Sequence, residues 1–151
     1  MTLSLAMQDD VLYVCSLIEF VARQTKNTVS AIATYLGHVG VQEQLEHAQV
    51  NHCLSFEEIA HEVIEDYQVQ IGDFDAVGLC QYEVPTETAI GGVYRDLIVE
   101  LVDTQQKPLV STILEVLTSP MSDAISDFNS STFYENPSYI YHSYLAGELL
   151  D

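Results

Sequence analysis

Apolar residues recur at helical spacing along almost the whole chain, and this periodicity limits the fold more than any other feature. In residues 8–24, QDDVLYVCSLIEFVARQ, they form one wide stripe, as expected for a helix at the centre of a helical domain. Asp9 and Asp10 are expected in the first turn of this helix, beside the positive end of its dipole. Alternation of apolar and polar residues, which is typical of strands, is scarce. The pattern therefore predicts an all-α protein with about seven or eight helices in two packed helical halves.

Capping residues and prolines predict where several helices begin and end. Thr28 is expected to start a second helix that ends near Gly37 or Gly40, and a more polar third helix follows in VQEQLEHAQVNH. Ser55 and Glu58 have the S-x-x-E spacing of a capping box, which predicts the start of a fourth helix.

A long helix is predicted to open at Pro85 and Thr86 and to carry a regular apolar stripe. Gly91 and Gly92 lie within it, and each weakens a helix by about 1 kcal/mol relative to Ala. Two interpretations stay open: these glycines permit a close helix contact, or the helix begins after them. Pro108 is a start signal for the next helix.

Residues 71–84, IGDFDAVGLCQYEV, break the helical pattern with two glycines and a short apolar run. An isolated strand would need a partner strand, and none is evident in the sequence. We therefore expect an N-terminal helical half at residues 1–72, a connector at 73–84 and a C-terminal helical half at 85–151. The two halves are expected to form one compact domain.

The most unusual property of this sequence is its excess of acidic over basic residues. Twenty-three Asp and Glu face only four Lys and Arg, which gives a formal net charge of −19 at pH 7. The acids are spread over both halves of the chain, so an acidic tail is not the cause. Such a surface repels nucleic-acid phosphates and anionic membranes and attracts basic proteins. We therefore expect a basic protein partner, no direct nucleic-acid binding and no membrane association.

Residues 55–67, SFEEIAHEVIEDY, concentrate this charge on one predicted helix. Its apolar residues recur at steps of three and four, which leaves the opposite side to the acids and His61. Like charges four residues apart, such as Glu58 and Glu62, destabilise a helix by roughly a few tenths of a kcal/mol, so folding does not explain them. The predicted partner-binding residues are these acids and two tyrosines near the C-terminus: Glu57, Glu58, Glu62, Glu65, Asp66, Tyr139 and Tyr141.

The last predicted helix, which follows Asn136, and the loop before it are rich in aromatic residues, STFYENPSYIYHSYL. Tyrosine is enriched at protein interfaces because it supplies contact area and a polar tip at low entropic cost. Two interpretations stay open for Tyr139 and Tyr141. They contact a partner or another copy of the chain, or they pack the last helix on the core.

Glu58 and His61 have the E-x-x-H spacing that places a carboxylate and an imidazole on one helix face, as in di-iron four-helix proteins. Those proteins need two such pairs and two further Glu, and the second pair is missing here. A helical metalloprotein that uses Glu58, His61 and neighbouring acids is kept as an alternative. The sequence has no nucleophile motif and no phosphate-binding glycine loop, so we expect no enzymatic activity and no cofactor.

The location of the protein is predicted from hydropathy and cysteine usage. No run approaches the roughly 18 apolar residues of a membrane-spanning helix, and MTLSLAMQDD lacks the features of a secretory signal. Cys15, Cys53 and Cys80 are odd in number and far apart, which favours reduced thiols. We expect a cytoplasmic protein.

Four stretches within residues 11–67 carry a family resemblance: IEFVA, AIATYLG, VGVQEQLEHA and HEVIEDY. In this order they resemble a family of short, uncharacterised bacterial helical proteins often encoded beside ADP-ribosyltransferase-like toxins. The resemblance implies a small cytosolic partner protein of the antitoxin type. The family has no established catalytic residues to carry over to this chain.

Charge, the lack of a catalytic motif and the family resemblance favour a binding protein that neutralises or regulates a basic partner. Antitoxins, immunity proteins and inhibitors act in this way. A variant of this hypothesis is mimicry of nucleic acid, in which carboxylates take the place of phosphates. A further alternative is a structural subunit that forms a homo-oligomer through its aromatic C-terminal segment.

Overall fold

The computed structural model describes residues 2–150, and the predicted all-α fold is confirmed for them. These residues contain eight α-helices, one 3₁₀ turn at Thr132–Tyr134 and no strand. None of the helices within this range combines the length and hydropathy that a membrane crossing requires. The helices are α1 (Leu5–Thr25), α2 (Val29–Asn51), α3 (Phe56–Asp66), α4 (Ala76–Leu79), α5 (Glu87–Gln105), α6 (Leu109–Leu117), α7 (Pro120–Ser126) and α8 (Pro137–Ala146).

Helix α1 lies at the centre of the fold. Its most extensive contact is with α5, and it also packs against α2 and α3. Helix α6 contacts both α2 and α5, and α8 packs on α5. The buried apolar residues form one cluster that runs from Val11 in α1 to Ile140 in α8. Helices before and after the segment 67–86 therefore share a single core.

Helix α1 begins earlier than the sequence predicted. The Ser4 side chain caps it by accepting a hydrogen bond of 3.1 Å from the Met7 backbone N–H. Asp9 and Asp10 consequently lie in the second turn, and their predicted place in the first turn was wrong. Asp10 instead accepts a hydrogen bond of 2.7 Å from the Gln49 side chain, which links α1 to α2.

The predicted helix end at Gly37 is a kink within α2. Gly37 has φ 62° and ψ −170°, a conformation that a residue without Cβ adopts at little cost. The helices expected on its two sides are therefore joined without a loop, and the chain stays helical to Asn51.

The segment between α3 and α5 holds only the short helix α4 and is fixed to the end of α1. The Gly72 backbone N–H donates to the Thr25 carbonyl at 2.8 Å, and Phe74 donates to Lys26 at 2.9 Å. The side chain of Asn129 donates to the last carbonyl of α4 at 2.9 Å. These hydrogen bonds hold the segment in place, although it forms no strand.

Within residues 2–150, three helix ends place a residue other than glycine in the left-handed conformation. Lys26 follows α1 with φ 56°, Gln68 lies just beyond α3 with φ 54°, and Gln106 follows α5 with φ 51°. A side chain with a Cβ atom is strained in this region by roughly 1–2 kcal/mol. Each of these turns therefore stores some strain.

Helices α1 and α5 approach each other closely at Gly91. A Cβ atom on Gly91 would lie 2.9 Å from the Ser16 backbone nitrogen and 3.0 Å from the Ser16 Cα. At the next residue, Gly92, the nearest atom to an added Cβ would be Arg95 Nη2, at 3.8 Å. Gly91 thus permits the helix contact and Gly92 does not take part in it, so the first of the two interpretations is confirmed for Gly91 alone.

We predict opposite effects of alanine at these two adjacent glycines. Gly91→Ala is expected to lower the free energy of unfolding by about 1–2 kcal/mol, because overpacking against Ser16 outweighs the better helix propensity. Gly92→Ala serves as the matched control and is expected to raise it by up to about 1 kcal/mol. Urea unfolding followed by circular dichroism measures both changes. Equal stability of the two variants would contradict the proposed helix contact.

Candidate functional site

The acids predicted on α3 all lie on its exposed side. Ile59, Ala60 and Val63 are buried on the opposite side, where α3 packs on α1. Ser55 caps the helix by accepting a hydrogen bond of 3.2 Å from the Glu58 backbone N–H. We define the acidic face as the five exposed carboxylates of this helix: Glu57, Glu58, Glu62, Glu65 and Asp66.

No Lys or Arg within residues 2–150 comes within ion-pair distance of the acidic face. His61 Nε2 lies 3.2 Å from Glu65 Oε1, and both side chains are exposed. Three of the four Lys and Arg pair with acids outside α3: Arg23 with Glu19 at 2.7 Å, Arg95 with Asp96 at 3.0 Å and Lys107 with Glu115 at 3.3 Å. No Lys or Arg of residues 2–150 therefore neutralises the negative charge of the acidic face.

A hydrogen bond connects the acidic face to α2. The Tyr67 hydroxyl donates to Glu43 Oε2 at 2.7 Å. Burial and, second to it, the bond to Glu43 together raise the pKa of Tyr67 to about 12, because both favour the protonated phenol. Glu43 and Glu46 are exposed on α2, so negative charge continues beyond α3.

The structure does not bring Tyr139 and Tyr141 together with the acidic face, because α8 packs on α5 and α3 packs on α1. The Tyr139 hydroxyl donates to the Leu150 carbonyl at 2.7 Å. The Tyr141 hydroxyl lies 2.8 Å from Thr104 Oγ1 and accepts a bond of 3.1 Å from the Gln105 side chain. Both rings are half-buried, which favours their packing role.

Glu58 and His61 do not gain a third ligand from the fold. Among residues 2–150, no three His, Cys, Asp or Glu side chains are grouped so that they could hold a metal ion. The carboxylate beside His61 is that of Glu65, one turn further along α3. The metalloprotein alternative therefore lacks a ligand set in the described part of the chain.

A pocket of about 320 Å³ lies where α1, α2, α3 and α5 meet, and we call it the junction pocket. Helix α1 supplies its acidic and hydroxyl groups, and the first residue of α3, Phe56, supplies an aromatic wall. Thr88 contributes from α5. The residues of α1 that line it are Asp9, Asp10, Leu12, Tyr13 and Ser16.

Two buried hydroxyl groups at the junction pocket have no hydrogen-bond partner among residues 2–150: Tyr13 Oη and Ser16 Oγ. Ser16 is 1% exposed and Tyr13 is 8% exposed. A buried polar group without a partner costs about 1–3 kcal/mol, so such groups are uncommon in folded proteins. Neither residue stood out in the sequence; the one available signal was the hydroxyl of Ser16 within the apolar run VLYVCSLIEF.

The junction pocket adjoins the acidic face. The rings of Tyr13 and Phe56 pack with their centroids 5.7 Å apart. Burial, with a smaller contribution from the carboxylate of Glu62, raises the pKa of Tyr13 to about 12. Tyr13 therefore lies close to α3, and the negative charge of Glu62 on that helix affects its pKa.

A second polar cluster joins α1 to the start of α5. Arg23 donates to Glu19 Oε2 and to the Pro85 carbonyl, both at 2.7 Å. Its guanidinium also lies 5.1 Å from the centroid of the Phe128 ring. Glu19 is 2% exposed, and burial raises its pKa while Arg23 opposes the rise. These internal contacts give the cluster a structural role.

We predict that the protein loses stability as the pH rises above about 9. Burial raises the pKa of Cys15 from 9.0 and that of Tyr13 from 10.0, each to about 12. Between these values the unfolded chain has released protons that the folded chain retains, so the free energy of unfolding falls with rising pH. Urea unfolding between about pH 8 and pH 11 measures this slope.

Two tyrosine variants test the assignment to Tyr13. Tyr13→Phe is expected to flatten the decline, because the variant has no phenol to titrate at this position. Tyr82→Phe is the control, since Tyr82 is exposed, and should leave the slope unchanged. An unaltered slope in Tyr13→Phe would show that this buried phenol does not cause the effect.

Comparisons with known proteins do not assign the chain to a family: no protein-family model, curated protein or solved structure matches it. The likeness of residues 11–67 to the toxin-associated family stays a prediction from sequence. The acidic face and the junction pocket are therefore interpreted from their own geometry.

Proposed function

We propose that this protein binds a basic protein in the cytoplasm through the acidic face and thereby neutralises or regulates it. Antitoxins, immunity proteins and inhibitors are proteins of this kind. The observation that carries the proposal is five exposed carboxylates on one helix with no Lys or Arg of residues 2–150 within ion-pair distance. Cationic side chains of a partner would relieve the repulsion among these carboxylates.

The attachment of α3 supports this role. Ile59, Ala60 and Val63 anchor the helix on α1, so the carboxylates are presented from a packed helix rather than from a loop. A preorganised surface loses less conformational entropy on binding than a mobile one. The cost of ordering the backbone at the interface is therefore small.

The net charge of −19 adds a long-range component to this attraction. Complementary charge speeds the encounter of two proteins and discriminates against partners of like sign. The same field disfavours direct binding of nucleic acid, whose phosphates carry the same sign. A basic protein that itself binds nucleic acid suits this surface, and competition with DNA for that protein would reveal mimicry.

The proposal rests on α3 and does not require the aromatic C-terminal segment. Tyr139 and Tyr141 lie on α8, and their hydroxyls make hydrogen bonds within the chain. A partner that contacted both α3 and α8 would have to reach around the α1–α5 pair. We therefore centre the interface on the acidic face.

We predict that reversing two charges of the acidic face weakens partner binding. Immobilised wild-type protein is expected to retain a basic protein from a lysate of its own source organism at low salt. The purified partner should bind the double variant Glu58→Lys, Glu62→Lys at least about tenfold more weakly, as measured by calorimetry. Raising the salt to about 0.15 M should weaken the wild-type complex, because exposed charges are screened.

The control is the double variant Glu83→Lys, Glu148→Lys, which changes the net charge equally at exposed acids outside α3. It should retain nearly all of the wild-type affinity at physiological salt. If both double variants lost the same affinity, overall charge would explain the binding, and a site on α3 would be contradicted. Failure to retain any basic protein would contradict the proposed function itself.

A further inference from the structure

We propose that a groove between the connector and the end of α7 binds a segment of a basic protein in which one large apolar side chain stands between Lys or Arg residues. The groove has a volume of about 470 Å³, and we call it the connector groove. Its lining includes Phe74, Ala76 and Leu79 on one side and Asp123, Asp127 and Phe128 on the other. That this basic protein is also the partner of the acidic face rests on the proposed function, whereas the chemistry of the occupant rests on the groove itself.

The apolar side of the connector groove is open to solvent. Leu79 is 61% exposed, and Val77, two residues before it in α4, is 39% exposed. Phe74 and Ala76 are half-buried, so aromatic and aliphatic surface is available inside the groove. Open apolar surface in a concave site is typical of places where proteins and ligands bind. The groove therefore suits a large apolar side chain.

Hydrogen bonds hold the two sides of the groove in place. The side chain of Asn129 joins them: its Nδ2 donates to the Leu79 carbonyl at 2.9 Å, and its Oδ1 accepts from the Gln81 backbone N–H at 2.7 Å. The Phe74 backbone N–H donates to the Lys26 carbonyl at 2.9 Å, which fixes the connector to the end of α1. A preformed groove loses less conformational entropy on binding than a mobile segment.

The charge beside the apolar surface decides which occupant fits. Asp123 and Asp127 line the groove, and Asp73 precedes Phe74 in the chain. Within residues 2–150, no Lys or Arg lines the groove or lies within ion-pair distance of these three carboxylates. Cations on both sides of an inserted apolar side chain would complement them. The same carboxylates, together with the net charge of −19, disfavour a second copy of this chain as the occupant.

Arg23 does not cancel this negative charge. Its guanidinium lies 5.1 Å from the centroid of the Phe128 ring, which lines the groove. The guanidinium is paired with Glu19 at 2.7 Å, and it lies 3.6 Å from Glu87 Oε2. Its charge is therefore taken up by carboxylates outside the groove.

The connector groove and the acidic face are close along the chain. Only residues 67–72 separate the end of α3 from the connector. This stretch is held on the end of α1, because the Asn27 side chain donates to the Gln70 carbonyl and the Gly72 backbone N–H donates to the Thr25 carbonyl, both at 2.8 Å. A basic protein that lies along α3 would therefore reach the groove beyond the C-terminal end of that helix.

The test uses the full chain and, as the probe, a blocked five-residue peptide with a central phenylalanine and two lysines on each side. We expect saturable amide chemical-shift changes in nuclear magnetic resonance spectra at Phe74, Ala76, Leu79 and Asn129. A peptide with serine in place of the phenylalanine should leave these four residues unchanged, although its lysines are still attracted to the acidic face. Equal changes with the serine peptide, or no changes at the groove with the probe, would overturn the proposal.

Two further measurements distinguish other occupants. A peptide with the central phenylalanine and four serines should bind the groove at least about tenfold more weakly than the probe, because it lacks the cations. Equal affinity of this neutral peptide would overturn the choice of a basic segment. Dilution of the protein without peptide should leave the groove signals unchanged, and signals that move with protein concentration would place a second copy there instead.

One substitution tests the apolar side of the groove. Leu79→Ser should weaken the probe about tenfold. The fold should persist, because the side chain is 61% exposed and Asn129 bonds to the backbone carbonyl of this residue. Leu145→Ser is the matched control, since Leu145 is 50% exposed on α8 and should not affect the probe. Equal affinity of these two variants would overturn the assignment to the groove.

A double substitution tests the charge of the groove. Asp123→Asn with Asp127→Asn should weaken the probe about tenfold at low salt. The control, Glu100→Gln with Glu148→Gln, removes the same charge at exposed acids outside the groove and should retain most of the affinity. The same loss in both double variants would show that overall charge, rather than the groove, holds the probe.

The outcomes separate this inference from the proposed function. If the probe does not bind the groove while charge reversal on α3 still weakens partner binding, the groove assignment is wrong and the proposed function stands. If the probe binds as expected and no basic protein is retained, the groove binds basic segments but the proposed function is wrong. Loss of partner affinity in Leu79→Ser, with the Leu145→Ser complex intact, would support both.

Discussion

The close contact between α1 and α5 is the constraint on which the remaining packing depends. Gly91 brings the backbone of α5 against Ser16, and Arg23 of α1 donates to the Pro85 carbonyl just before α5 begins. Helices α2 and α3 pack on one member of this pair, α8 packs on the other, and α6 bridges α2 and α5. The acidic face and the junction pocket depend on this pair for their geometry, because α1 supports the first and lines the second.

Ser16 lies at the centre of this helix contact and carries a local energetic cost. A serine is small enough for the contact with Gly91, yet an alanine would be as small and would leave no hydroxyl unpaired. Functional residues often retain a local cost of this kind that packing alone would remove. The same reasoning applies to the carboxylates of α3, whose mutual repulsion works against the helix that carries them.

The local features of this fold were predictable, and the features built from distant segments were not. Starts at Thr86 and Asn136 follow from side chains that cap their own helices, and the exposed side of α3 follows from spacing within one helix. The start of α1 was misplaced because acids and a serine compete as start signals, and Ser4 provides the cap. The junction pocket draws on four helices, so no single stretch of sequence indicates it.

The strained turns at Lys26, Gln68 and Gln106 have an evolutionary meaning. Glycine adopts the left-handed conformation without a steric penalty, so each position is a place where one substitution adds stability without altering the topology. A lineage that acquired such a glycine would tolerate further destabilising changes elsewhere.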